Sequence, residues 1–139
     1  MTINPRDLGY AALILRLMLA INFGLHGITR LPNLPGFARA MSEGFENTWM
    51  PVQLAYITGF VIPIIESTLG IALLAGFKLR TTLLSAGALM CMLHFGKGLQ
   101  QSWDILADQL IYAVVIALLL VWHPFDDFTL DAKRTQHPS

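Results

Sequence analysis

Four long runs of apolar residues alternate with polar connections along the chain. The runs cover residues 8–28, 54–76, 79–96 and 105–122. A transmembrane helix needs about 20 predominantly apolar residues to cross the hydrocarbon core, and each run is close to that length. The pattern therefore predicts four membrane-spanning helices.

The connections between the runs indicate how these helices pack. Because the second and third connections are short, each helix should lie antiparallel to the one before it. The first connection, residues 29–53, is longer, and its segment AMSEGFENTWM mixes polar and aromatic residues as interfacial segments do. We expect one all-α domain over residues 1–139, an integral membrane up-down four-helix bundle with a short interfacial helix between spans 1 and 2. The polar tail after residue 124 is expected to be partly mobile.

Composition supports a membrane protein and excludes several functions. The chain is 55% hydrophobic and 13% charged, against roughly 25% charged residues in soluble domains. Its nine basic residues are scattered, so no nucleic-acid partner is expected. A single cysteine excludes an internal disulfide, a covalently attached c-type haem and a self-sufficient iron–sulfur cluster. No phosphate loop, metal-ligand spacing or nucleophile motif occurs. Any redox cofactor would therefore be non-covalent, and the chain would be at most a subunit of an enzyme.

The distribution of lysine and arginine predicts the orientation in the membrane. Five basic residues lie on the side of both termini and three on the opposite side, respectively Arg6, Lys78, Arg80, Lys133 and Arg134, and Arg30, Arg39 and Lys97. Positive charge is enriched on the cytoplasmic side of membrane proteins. Both termini are therefore expected in the cytoplasm.

Two charged residues stand near the middle of apolar runs, Arg16 in the first and Glu66 in the second, each on a face of small residues. Counting 1.5 Å per residue from the centre of each span places Arg16 about 3 Å and Glu66 about 1.5 Å from the midplane, on the same side. An intramembrane charge needs a partner, so we expect Arg16 and Glu66 to form a buried ion pair. Such a pair either specifies the fold without any chemistry or lines a ligand or proton path.

A second polar layer is predicted nearer the outer face. His26 and His94 lie about 12 and 10 Å beyond the midplane, and Asp108 and Gln109 about 8 and 7 Å on the same side. Tyr112 shares a helix face with Asp108. A histidine beside a carboxylate suits proton transfer or donation to a quinone carbonyl. We expect these five residues to bind a ligand, unless each only reaches the lipid headgroups.

Three segments of the chain resemble the DoxX family of small bacterial four-helix membrane proteins. They are LRLMLAINFGLHGITRL in the first span, IIESTLGIALLAGFKLR in the second and FTLD near the end. The chain departs from the family pattern at Arg30, where a lysine is more usual, and over residues 94–103. The positions that carry the resemblance are Arg16, His26, Gly27, Glu66, Gly70, Gly76 and Arg80.

The resemblance implies a bacterial inner-membrane protein in contact with the lipid bilayer, and it leaves two functions open. Relatives are associated with thiosulfate:quinone oxidoreduction and quinone-related stress, which implies a quinone-interacting subunit of a membrane redox complex, with a soluble oxidoreductase as partner. Arg16 and Glu66 would then form the inner floor of the site, below His26, His94 and Asp108. The alternative is a non-catalytic scaffold or assembly subunit for partner proteins or for further copies of the chain.

Overall fold

The computed structural model describes residues 4–135, with side chains through residue 132, and this part of the chain is all helical. Four helices are long and apolar enough to cross a membrane, as predicted, and two are short. Single 3₁₀ turns follow α1 and α5, at Leu31–Asn33 and His123–Phe125. The helices are α1 Pro5–Ile28, α2 Leu34–Glu43, α3 Val52–Ala75, α4 Leu79–Leu99, α5 Trp103–Trp122 and α6 Leu130–Thr135.

Local signals explain where the helices begin and end. The Asn4 side chain accepts a hydrogen bond from the backbone N–H of Arg6 at 3.1 Å, so α1 begins three residues before the predicted span. Gly76, with φ of 64°, ends α3 in the left-handed conformation that glycine adopts without strain. A short helix lies between the first two spans, as predicted; it is α2, whose first turn is capped by the side chain of Asn33. The segment AMSEGFENTWM, in which this helix was expected, contributes only residues 40–43 to it, because residues 44–50 form turns and bends.

The long helices pack as an antiparallel bundle in which α1 contacts both α3 and α5. Two glycines bring α1 and α3 close together, because a Cβ atom added to Gly70 would lie 2.5 Å from the Cα of Gly24. On the far half of α3, a Cβ on Gly59 would lie 2.6 Å from the Cα of Ala38 in α2. Small residues thus bring backbones together, as helix pairs in membranes commonly do.

The two halves of the bundle differ in packing. We call the end where α1 begins and α3 ends the inner end, and the opposite end the outer end. All buried residues of α4 lie in its first twelve residues, toward the inner end: Leu79, Thr82, Leu83, Ala86, Leu89 and Met90. The remainder of α4 has none. The hydrophobic core therefore fills the inner half, and the helices enclose open space in the outer half.

Residues 123–132 fold back onto the inner end, so the expectation of a partly mobile tail is wrong for this segment. Asp126 and Thr129 are buried. The Asp131 carboxylate accepts hydrogen bonds from the backbone N–H groups of Lys78 and Leu79 at 2.9 and 2.7 Å. It thereby caps the start of α4, whose first N–H groups have no partner within the helix.

Candidate functional site

Arg16 lies in a closed site at the inner end of the bundle. Its Nε donates to Asp126 Oδ2 at 2.7 Å, and both side chains are almost fully buried. Nη1 donates to the carbonyls of Leu73 and Leu74 at 2.7 and 2.9 Å, and Nη2 to that of Phe128 at 3.0 Å. Carbonyl groups in the last turn of a helix lack the usual hydrogen bond from the N–H four residues further on. The guanidinium therefore ties α1 to the end of α3 and to the segment after α5.

Glu66 pairs with a different arginine, at the outer end. Arg30 Nη1 donates to Glu66 Oε2 at 2.6 Å; 29% of the Arg30 side chain is exposed against 6% for Glu66. The Arg30 guanidinium also lies over the ring of Phe37 in α2, 4.5 Å from its centroid, in a cation–π contact. The predicted ion pair between Arg16 and Glu66 is therefore wrong, although each residue has a charged partner.

The prediction failed because α1 and α3 are offset along their axes. A Cβ on Gly27 would collide with Ser67 and with the carbonyl of Pro63, so Glu66 lies at the level of Gly27. That position is eleven residues, or about 16 Å, along α1 from Arg16. Counting depth from the centre of each span had assumed that the two centres lie at one level. In antiparallel helices the side chains also lean in opposite directions, each toward its own N-terminus.

Glu66 and Arg30 line a cavity of about 790 Å³ in the outer half of the bundle. Its walls come from α1, α3, α4 and α5, and its roof is α2 with the segment that follows it. Most of the lining is apolar and includes four of the six methionines, Met41, Met50, Met90 and Met92. Methionine is flexible and adapts to ligands of irregular shape. The cavity therefore offers soft apolar walls with a few polar groups.

Four of the five residues predicted in the outer layer line this cavity, namely His26, Asp108, Gln109 and Tyr112. His94 does not line it but stands behind Gln109, with its Nδ1 3.2 Å from Gln109 Oε1. The structure thus brings four of the five predicted residues together around one space. It adds Glu66, which had been expected in a floor beneath that layer beside Arg16.

Several polar groups of the cavity were missed from the sequence. Asn22 lies one turn before His26 on α1 and donates from Nδ2 to the Tyr112 hydroxyl at 2.9 Å. Asn22 and His26 are four residues apart and so share one face of α1. This spacing could have indicated from the sequence that Asn22 belongs to the site. Lys97 and Gln100 line the outer rim, where Lys97 Nζ donates to Gln100 Oε1 at 2.7 Å. Arg30 had been considered for orientation in the membrane and as a departure from the family pattern, but not as a residue of the site.

The charges around the cavity balance. Its lining holds two cations, Arg30 and Lys97, and two carboxylates, Glu66 and Asp108. His26 donates from Nδ1 to the backbone carbonyl of Asn22 at 2.9 Å, which leaves Nε2 as an acceptor when the ring is neutral. Among the described residues, no three His, Cys, Asp or Glu side chains come together as metal ligands do. The arrangement suits an uncharged ligand with an apolar body and a few polar atoms.

Comparison with known proteins gives one match. The sequence model of the family described as DoxX matches residues 11–96, which is more than half of the chain. The match contains Arg16, Arg30 and Glu66. It ends before α5, so Asp108, Gln109 and Tyr112 lie outside it. No curated protein and no solved structure matches the chain.

Proposed function

The chain belongs to the DoxX family, and from that membership and the outer cavity we propose that it binds a lipophilic ring such as a quinone, as a subunit of a membrane redox complex. Its four apolar helices make it a multi-pass integral membrane protein. The bilayer concerned is the bacterial inner membrane.

The observation that carries this proposal is the cavity itself. Ligand sites are concave, mostly apolar and commonly of about 300–1,000 Å³, and the volume of about 790 Å³ lies within that range. The cavity lies between helices in the half of the bundle that the core leaves open. A molecule dissolved in the membrane therefore finds apolar walls at the depth where its ring and tail reside.

The polar groups fit a quinone ring in particular. Quinones carry no net charge, and the lining has as many cations as carboxylates, so an anionic ligand gains no net attraction there. The carbonyl oxygens of a quinone accept hydrogen bonds, and the Tyr112 hydroxyl and the Gln109 amide provide donors on α5. A bound quinone would supply electron transfer. A soluble oxidoreductase would then supply or remove the electrons as the partner.

Titration of the purified protein with a short-chain quinone in lipid nanodiscs tests the proposal. Wild type should bind with a stoichiometry near one per chain. Thr58→Trp fills the cavity and should abolish binding. Val61→Trp, one turn away at a position 45% exposed, is the matched control and should bind as wild type does. Absence of binding by wild type would overturn the proposal.

The proposed orientation has both termini in the cytoplasm, supported by the five basic residues at the inner end against three at the outer end. Reporter fusions after Lys78 and after the last residue test it. Both should report a cytoplasmic location. A periplasmic signal at either position would contradict the orientation.

A second candidate is a scaffold that holds partner proteins in the membrane, and the surface of α5 favours it. Only Leu106, Ile116 and Leu119 of this helix are buried. Large apolar side chains cover much of the rest, including Ile105, Leu110, Ile111, Val114, Leu118 and Val121. Crosslinking from these positions in native membranes would trap a stoichiometric partner or a second copy of the chain. That result, together with no quinone binding, would favour the scaffold.

A further inference from the structure

Two side chains on α5 that line the cavity are each held by a residue on another helix. Gln109 and Tyr112 lie one turn apart on the same face. His94 on α4 holds Gln109 through a contact of 3.2 Å between Nδ1 and Oε1. Asn22 on α1 holds Tyr112 through a hydrogen bond of 2.9 Å from Nδ2 to the hydroxyl oxygen. Both holding contacts cross between helices, so they depend on the folded bundle.

The direction of these hydrogen bonds decides what Gln109 and Tyr112 offer to a ligand. The Gln109 carbonyl oxygen can only accept, so the proton of the His94 contact resides on Nδ1. This leaves the NH₂ group of Gln109, a donor, for the cavity. The Tyr112 oxygen accepts from the Asn22 amide, which leaves the Tyr112 O–H as a donor. Two donors are thus set on one wall.

Neither donor would be fixed without its partner. A glutamine amide turned by half a revolution exchanges its donor for an acceptor, and a hydroxyl proton rotates to suit its surroundings. His94 does not line the cavity, so its effect on a ligand passes through Gln109. His94 and Asn22 thereby select one of two hydrogen-bonding patterns for the wall.

We propose that His94 and Asn22 are positioning residues that set Gln109 and Tyr112 as a pair of donors for the carbonyl oxygens of the ligand ring, so that the site prefers the oxidised quinone to the quinol. The inference rests on the proposed function. Gln109 and Tyr112 lie about 5–6 Å apart at their Cβ atoms, so one ligand ring can lie beside both side chains. A quinone carbonyl oxygen accepts hydrogen bonds more strongly than a quinol hydroxyl oxygen, whose lone pairs are partly delocalised into the ring, so two donors favour the oxidised form.

The test compares dissociation constants for one short-chain quinone and its quinol, measured anaerobically in nanodiscs. Wild type should bind the quinone about five- to tenfold more tightly, as expected when two hydrogen bonds are stronger to one form than to the other. Gln109→Glu keeps the oxygen facing His94 but replaces the NH₂ donor with an acceptor, so it should remove or reverse this preference. Tyr112→Phe should weaken quinone binding more than quinol binding.

The positioning role of His94 has its own variants. His94→Ala should lower the ratio of the two dissociation constants toward one. His94→Asn, whose amide N–H is attached to Cγ as Nδ1 is, should restore it. His123→Ala is the matched control, because His123 lies at the inner end, away from the cavity, where its Nδ1 donates to the backbone carbonyl of Leu120 at 2.9 Å. Circular dichroism establishes that each variant is folded.

The outcomes separate the two proposals. If wild type binds quinone and the ratio is unchanged in Gln109→Glu and His94→Ala, the positioning inference is overturned while quinone binding stands. If wild type binds neither form, the proposed function fails, and this inference fails with it. A ratio that changes in Gln109→Glu but is the same in His94→Ala overturns the role of His94.

Discussion

Two ion pairs of this bundle, one near each end, have similar chemistry and very different surroundings. Arg16 and Asp126 at the inner end meet at 2.7 Å, and Arg30 and Glu66 at the outer end meet at 2.6 Å. The inner arginine makes three further hydrogen bonds to backbone carbonyls and is 1% exposed. The outer arginine has a Phe37 ring beneath it and 29% exposure. One pair is enclosed by the core, and the other borders a cavity.

This difference shows that an intramembrane charge is not by itself a functional site. The inner carboxylate and guanidinium are already bonded within the fold, so the pair offers nothing to a ligand. The outer pair leaves part of the guanidinium exposed beside open space. Hydrogen-bonding capacity that remains after folding separates a structural clamp from a candidate site.

The largest expected effect comes from breaking the inner pair. Arg16→Leu leaves Asp126 buried without a cation and should destabilise the protein by about 3–5 kcal/mol. The double change with Asp126→Ala should recover part of the loss, because it removes the uncompensated charge. Unfolding in detergent, followed by circular dichroism, measures both. Equal stability of Arg16→Leu and wild type would contradict the clamp.

The next effect tests the register that keeps the two pairs apart. Gly70→Ala places a methyl group 2.5 Å from the Cα of Gly24 and should cost about 1–3 kcal/mol through overpacking. Gly24→Ala is the matched control, since its Cβ would meet its nearest neighbour at 4.0 Å. The same unfolding measurement applies. A larger cost for the Gly24 variant would mean that the contact is assigned to the wrong glycine.

A smaller loss is expected at the outer pair. Glu66→Gln removes a charged hydrogen bond, but Arg30 is partly exposed and reaches water, so the cost should be about 1–2 kcal/mol. Glu46→Gln, at an exposed position in the loop after α2, should lower the stability by less than Glu66→Gln does. Thermal unfolding in the same detergent compares the two. A loss as large as that of Arg16→Leu would remove the distinction between the pairs.

The smallest effect is the coupling between the two pairs. Arg16 and Glu66 have no shared partner among the described contacts, so the effects of Arg16→Leu and Glu66→Gln should add within about 0.5 kcal/mol. A double-mutant cycle measures this coupling. A coupling energy above about 1 kcal/mol would support the direct ion pair between Arg16 and Glu66 that was predicted from the sequence.

Hydropathy was sufficient to predict the four spans, because the apolar length needed to cross a bilayer is set by the membrane. Depth along the spans also placed His26, Asp108, Gln109 and Tyr112 in one layer, since all lie near the outer ends of their helices. The partner of Arg16 could not be found in this way. Which helix levels face each other depends on glycine contacts between helices, and apolar length does not encode them.

Asp126 and Arg30 were missed for a related reason. Asp126 lies in a polar stretch after the last span, and nothing in such a stretch indicates that it folds back into the bundle. Arg30 lies just beyond the first span, where a basic residue is expected on orientation grounds alone. In both cases the residue type was ordinary for its position, and only the packing of distant segments gave it a buried partner.

The inner clamp also has a consequence for how the protein is made. Arg16 and its carboxylate partner are 110 residues apart in the chain. During synthesis α1 is therefore made well before Asp126. The inner clamp can close only after α5 and the segment that follows it have been synthesised, so it forms late in the assembly of the bundle.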